Sequence, residues 1–255
     1  MSLAQAIKQT LDYSRQFHGH LTLKDLDRRL ISPQIYTSAN IHRQVKLLQL
    51  RLPVSPPAEF GRLLAQARSY VHRYFRRFST ILFIGLTGSV AAGSPSAFDD
   101  IDFLIITQSH TLWLTRFLLY LYFCFHRLPI RRFGRRQISR QLCLNLWLDD
   151  FDLSLPPAKR NLQNACDLMM MIPLLNRRST YQRFLAANPW AKKFLASGYH
   201  RLTSNKTIRT AHPPAHVSVK VVNYLFFLLQ YHYLKPKITT ELVNLHQSFF
   251  HPSRS

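Results

Sequence analysis

The sequence predicts an α+β protein, a mixed sheet packed with helices and flanked by a helical region on each side. Three observations predict it. Apolar, β-branched and aromatic runs at 81–86, 101–106 and 142–148 read as buried strands. Around them, apolar residues recur at spacings of three and four, the period of amphipathic helices. Glycines and carboxylates then collect where the runs begin and end. Three of the seven glycines, Gly85, Gly88 and Gly93, fall within nine positions, and six of the twelve acids form two clusters, Asp99, Asp100, Asp102 and Asp149, Asp150, Asp152. The proline-rich stretch 53–57 and the pair Pro156-Pro157 divide the chain into regions 1–57, 58–155 and 156–255.

Residues 1–57 read as a helical, helix-turn-helix-like region. Leu3, Ile7 and Leu11 mark a first helix, Thr22 with Asp25 caps a second carrying Leu23, Leu26 and Leu30, and Ser38 opens a third carrying Ile41, Val45 and Leu48. No base-reading set of side chains stands out in 38–48, so a helical cap on the core fits these helices as well as DNA binding does. A long amphipathic helix follows, from Phe60 through Leu63, Ala67 and Val71 to Phe75. Its basic end, Arg73, Arg76 and Arg77, suits the negative end of a helix dipole and lies just before the glycine turn.

The stretch 81–107 carries the chemistry. The first strand ends in Thr87-Gly88-Ser89, where successive backbone N–H groups and the Ser89 hydroxyl form an anion-binding concavity. Ten residues separate Ser89 from Asp100, and Asp100 and Asp102, two apart, project from one face of the next strand. Paired carboxylates repel unless a cation lies between them, and Mg²⁺ or Mn²⁺ with substrate phosphates is the natural occupant.

A Gly-Ser turn, ten residues and Asp-x-Asp in an apolar strand resemble the motif of the nucleotidyltransferase superfold, which includes DNA polymerase β, poly(A) polymerases and small antitoxin-type enzymes. The order of segments, with LWLTR after the second strand, CLNLWLD and a helical tail, is similar to bacterial proteins carrying such a domain. The resemblance implies a nucleotidyltransferase core at 58–155. It implies a metal-dependent enzyme moving a nucleoside monophosphate from a nucleoside triphosphate to an acceptor hydroxyl. Asp100 and Asp102 would be catalytic and metal-holding, and Gly88 and Ser89 nucleotide-binding. It also implies a third carboxylate on a third strand. At 142–148 the flanked slot is Asn145, which can ligate through its oxygen but cannot take a proton. Strand parity puts Asp149 on the same side as Asn145 and makes it the substitute acid. The alternative is a catalytically impaired module of the same fold that binds nucleotide or nucleic acid as a regulator.

Between the second and third strands, 111–126 is strongly apolar and interrupted by Arg116. Its unbroken part is shorter than the roughly 20 residues that cross a bilayer, so it reads as a helix packed on the sheet with no integral membrane association. Arg116 either snorkels to solvent or points toward bound phosphate. Residues 127–140 hold six arginines and no acid, and Arg131, Arg132, Arg135 and Arg136 are the candidate polyanion-binding set; a solvated loop fits them as well.

Beyond 156 the acids thin out and the chain reads as helical, with a polar linker at 197–216, an apolar helix at 217–234 and a last short helix from Thr240 to about Phe250. Met169, Met170 and Met171 read as core gap-fillers. Cys124, Cys143 and Cys166 are odd in number and lie among apolar residues, as core thiols of a reducing cytosol do. The N-terminus lacks an apolar signal core, so a cytoplasmic location is expected. The formal net charge of +22 favours polyanionic partners, namely RNA, DNA, nucleotides or an anionic membrane surface, though an arginine-rich surface that is merely solvated fits it too.

Overall fold

The computed structural model describes residues 1–17, 19–131, 141–204, 216–239 and 241–249. In chain order these form α1 (Leu3–Arg15), α2 (Leu23–Arg29), α3 (Ser38–Leu47), α4 (Ala58–Arg73), β1 (Ile81–Leu86), α5 (Gly88–Ala91), β2 (Ile101–Thr107), α6 (Leu112–Phe125), β3 (Leu142–Asp149), α7 (Leu162–Met170), β4 (Ile172–Asn176), α8 (Thr180–Ala186), α9 (Ala196–Thr203), α10 (Val217–Leu234), β5 (Leu242–Val243) and β6 (Gln247–Phe249). The protein is α+β, with one six-stranded mixed sheet of order β4-β1-β2-β3-β6-β5. Among its pairings only β2 with β3 is parallel, because α6 carries the chain back across the sheet between them.

Helices cover both faces, which is why the central strands read as unbroken apolar runs. Ile101, Phe103 and Ile105 of β2 face a core built with α4, α6 and α10, while Leu104 and Ile106 face a second core built with α7 and α8. Caps end the N-terminal helices where the sequence places them. Ser2 with Gln5 and Thr22 with Asp25 form reciprocal capping boxes, and α3 is capped by Thr37, one residue ahead of Ser38.

The N-terminal helices pack on the C-terminal region. Ser32 N–H donates to the Phe194 carbonyl at 2.7 Å, and Ala196 N–H donates to Ser32 O at 2.9 Å. Here the first part of the expected polar linker at 197–216 is corrected, since α9 occupies 196–203 with Ala196, Ser197 and Gly198 buried, while 205–215 lie outside the described residues. Its small and polar residues are interface residues. The Ser197 hydroxyl accepts the Tyr36 N–H at 2.8 Å, and Gly198 lies against the Arg28 backbone so closely that a Cβ would collide with it.

Two further expectations change. Residues 172–176 form β4, which covers the free edge of β1, and the last segment is the hairpin β5–β6 rather than a helix. The hairpin caps the far edge of β3, satisfying an otherwise open row of backbone groups. Cys143 and Cys166 are buried, but Cys124 is exposed. Among the described residues no helix is long and apolar enough to cross a membrane.

Candidate functional site

Leu86 ends β1, and the chain turns at Gly88, whose φ of +67° favours glycine. The turn is tied to β2 by Thr87 N–H, which donates to Asp102 O at 2.9 Å. A Cβ on Gly88 would collide with the Asp102 carboxylate, so the missing side chain is what lets Asp102 lie against the turn. The Ser89 hydroxyl faces Asp99. Burial alone would raise the Asp99 pKa, but hydrogen bonds from Ser89 and Ser96 hold it below the ordinary carboxylate value.

Asp100, almost fully buried, sits at the start of β2 with both oxygens engaged. Gln141 N–H donates to Oδ1 at 3.0 Å, and Arg131 Nη1 lies 3.3 Å from Oδ2. Arg131 itself is anchored by its backbone N–H to Leu142 O, beside the first residue of β3. One member of the predicted arginine set therefore reaches the carboxylates. Arg132, Arg135 and Arg136 lie outside the described residues.

The third strand differs from its predicted phase. In the β2–β3 register Asp102 pairs with Cys143 and Leu104 with Leu146, so β3 carries one extra residue there. Leu142, Leu144 and Trp147 consequently share one core, and a β-bulge at Asn145 reverses the alternation beyond it. Cys143 is thus the β3 residue directly beside Asp102. Burial first, and the charge and hydrogen bond of Asp102 next, push its thiol pKa far up, so it stays protonated. Asn145 Nδ2 lies 2.8 Å from Cys143 Sγ, which makes the amide a second neighbour of the pair.

Asp149 does not join Asp100 and Asp102. It pairs with Thr107 at the other end of β2, about 17 Å along the strand from Asp102 at ~3.3 Å per residue. The bulge has also turned it to the opposite face, which corrects the parity that made it the substitute acid. Arg116 is likewise elsewhere. It lies under α10, with Nη1 2.7 Å from Gln230 Oε1 and its guanidinium over the Tyr120 ring at 4.9 Å.

A residue the sequence analysis missed enters from α7. Burial, then the charge of Asp102, raises the Asp167 pKa to about 7, with Arg29 opposing. Arg29 comes from α2 and also donates to Ala92 O, at the end of α5, at 2.8 Å. Segments far apart in the chain thereby converge on the Gly88 turn. Nothing in the sequence near Asp167 signals this, because the contact is made by packing of α7 against α5.

At the opposite end of β3, His110, Asp149 and His246 form a group of potential metal ligands, with donor atoms all within 4.8 Å of one another. The Asp149 carboxylate, fully buried, accepts His110 N–H at 2.6 Å and Phe151 N–H at 2.8 Å. Burial, with His246 and Lys220 adding to it and Asp149 opposing, holds His110 below the usual imidazole pKa. Comparison of the chain with family models, with curated proteins and with solved structures finds no match to any.

Proposed function

We propose that the cleft formed by the Gly88 turn, Asp100, Asp102 and Asp167 performs metal-dependent transfer of a nucleoside monophosphate from a nucleoside triphosphate to an acceptor hydroxyl. The observation that carries this reading is the apposition of Gly88 and Asp102, which joins a phosphate-type turn and a paired carboxylate into one site. The donor set fits a hard divalent cation, since Asp100 and Asp102 supply carboxylate oxygens and Cys143, protonated, supplies no soft thiolate. Bound there, Mg²⁺ or Mn²⁺ would neutralise phosphate charge and polarise the reacting phosphorus.

The chain's own residues account for the rest. The N–H groups of the turn bind phosphate oxygens, and Arg131, beside Asp100, holds one more. The acceptor oxygen bonds to the α-phosphorus as the bond to the pyrophosphate oxygen breaks. The acceptor's proton passes to a carboxylate. Neither Cys143 nor Asn145 can take it, whereas Asp167, with a pKa of about 7, matches the task near neutral pH. A carboxylate from α7 then does what the resemblance assigns to the third strand.

One observation favours a second reading. Arg131 already neutralises Asp100 without any cation, and β3 offers an amide and a thiol at the level of the pair, as in a module that binds nucleotide or RNA and no longer catalyses. Incubation with labelled nucleoside triphosphates, Mn²⁺ and pooled RNA, protein and small-molecule acceptors separates the two. Label transfer that disappears in Asp100→Ala and Asp102→Ala supports the enzyme. Nucleotide or RNA binding that survives EDTA, with no transfer to any acceptor, supports the module. Transfer that both variants retain overturns the assignment of the site.

A further inference from the structure

The group at the far end of β3 has a chemistry of its own. His110 lies on the connection from β2 to α6, Asp149 ends β3, and His246 lies in the turn of the β5–β6 hairpin. Three segments distant in sequence thus bring two imidazoles and one carboxylate to a single point.

Each is held before any ligand arrives. Asp149 N–H donates to His246 O at 2.8 Å, which fastens the hairpin turn to β3. The N–H groups of His246 and Gln247 both donate to Asn244 Oδ1, at 2.9 and 2.8 Å, which fixes the turn itself. His110 occupies the left-handed region, φ +60°, where a residue with a Cβ is strained, and its bond to Asp149 Oδ2 helps keep it there. Phe151 packs on both imidazoles, with ring centroids 4.8 Å from His110 and 4.7 Å from His246.

One atom in this arrangement is unexplained. His246 Nδ1 is buried and has no hydrogen-bond partner, although Asp149 Oδ2 is only 3.5 Å away. A buried nitrogen that neither donates nor accepts is costly unless something else binds it. A separation of 3.5 Å is close to the ~3.3 Å between neighbouring donors of a tetrahedral ion with bonds of about 2.0 Å. No two donor atoms of the triad are more than 4.8 Å apart, within the reach of a change of side-chain rotamer.

We propose that His110, Asp149 and His246 bind a divalent transition metal, Zn²⁺ in the first instance, and that the ion clamps the C-terminal hairpin to the sheet. Two imidazoles with one carboxylate suit Zn²⁺ and its first-row neighbours and do not suit Mg²⁺, which takes all-oxygen sites. Both imidazoles are partly exposed, which leaves room for water at a fourth position. The site is separate from the Asp100–Asp102 cleft, since β3 runs from Cys143 beside Asp102 to Asp149 at its other end.

The full chain, stripped with chelator and dialysed, should take up one equivalent of Zn²⁺ with a rise in Tm, while Mg²⁺ gives no such rise. Co²⁺ should give the intense visible absorption of a four-coordinate site. His246→Ala removes a side chain that makes no hydrogen bond within the described residues, so it should fold and lose at least ~10-fold in Zn²⁺ affinity. His110→Ala should do the same. Asp102→Asn should bind Zn²⁺ as the parent does, which distinguishes this site from the cleft. If either histidine variant binds Zn²⁺ as tightly as the parent, or the parent gives no four-coordinate Co²⁺ spectrum, the proposal is overturned.

Discussion

Gly88 presents its bare Cα to the carboxylate of Asp102, thirteen residues of intervening chain notwithstanding, so that only a residue without a Cβ fits beside it. Two separate demands meet at that glycine, a φ of +67° and the absence of a Cβ. Gly88→Ala should therefore destabilise the fold by roughly 1–3 kcal/mol, the range for strained backbone positions. It should also displace Asp102 and weaken Mn²⁺-dependent nucleotide binding by more than that loss of stability would. Gly61→Ala is the control, because a Cβ there meets nothing within 4 Å. Equal nucleotide affinity in folded Gly88→Ala and parent would show that the turn is not part of the site.

Arg131 competes with any cation for Asp100. Its guanidinium is partly exposed and, among the described residues, meets the carboxylate at 3.3 Å, so the pair itself contributes little to stability. Arg131→Gln should leave Tm within a few degrees, tighten Mn²⁺ binding in the absence of nucleotide by a few-fold, and weaken triphosphate binding. Calorimetric titration with Mn²⁺, with and without nucleotide, reads both changes. Weaker Mn²⁺ binding in Arg131→Gln would mean that the arginine orients Asp100 rather than occupying the cation's place.

The features legible in the sequence are the local ones. The strand, glycine turn and paired aspartates at 81–107 lie within one stretch, so spacing alone places Gly88 beside a strand and Asp102 in the next. Asn145 shows where that reasoning stops. A single extra residue in β3 moves Asp149 to the other face, and LCLNLWLD gives no sign of the bulge beyond Asn145, which an ordinary strand position would also hold. Asp167 and Arg29 were illegible for another reason, as their contacts join α7, α2 and α5 through packing. His110 and His246 stand 136 positions apart, and only the closure of the hairpin onto β3 brings them together.

The second aspartate cluster is structural at Asp150. Arg183 Nη1 lies 2.5 Å from Asp150 Oδ1, both side chains are buried, and Arg183 Nη2 also donates to Thr180 Oγ1 at 2.9 Å. The pair ties the end of β3 to α8. Arg183→Met removes a buried partner of the Asp150 carboxylate, which costs up to about 3–5 kcal/mol. Denaturant unfolding should show that loss as a lower midpoint with an unchanged slope. Any label transfer per folded molecule should remain at the parent level, because neither residue borders the Gly88 turn. A loss of transfer without a loss of stability would move the chemistry to this end of the sheet.

Asp167 makes the protein's stability depend on pH in a direction opposite to that of an ordinary paired carboxylate. Its folded pKa, about 7, stands above the unfolded value near 3.9, so the folded state binds the extra proton. The group's contribution is then fully present below about pH 4, declines as pH rises, and is lost above about pH 7. At ~1.4 kcal/mol per unit the loss is on the order of a few kcal/mol. Asp167→Asn, which stays neutral, should accordingly be more stable than the parent at pH 8, and the difference should shrink toward zero near pH 4. Asp102→Asn tests the cause. Removing the neighbouring charge should lower the Asp167 pKa and flatten the parent's decline between pH 5 and 7, with burial left as the remaining source of the shift. The same titration should govern chemistry, so any label transfer should rise with pH through about 7 in the parent and lose that dependence in Asp167→Asn. A parent and Asp167→Asn pair whose stability difference is the same at pH 4 and pH 8 would show that Asp167 titrates normally and is not the proton acceptor.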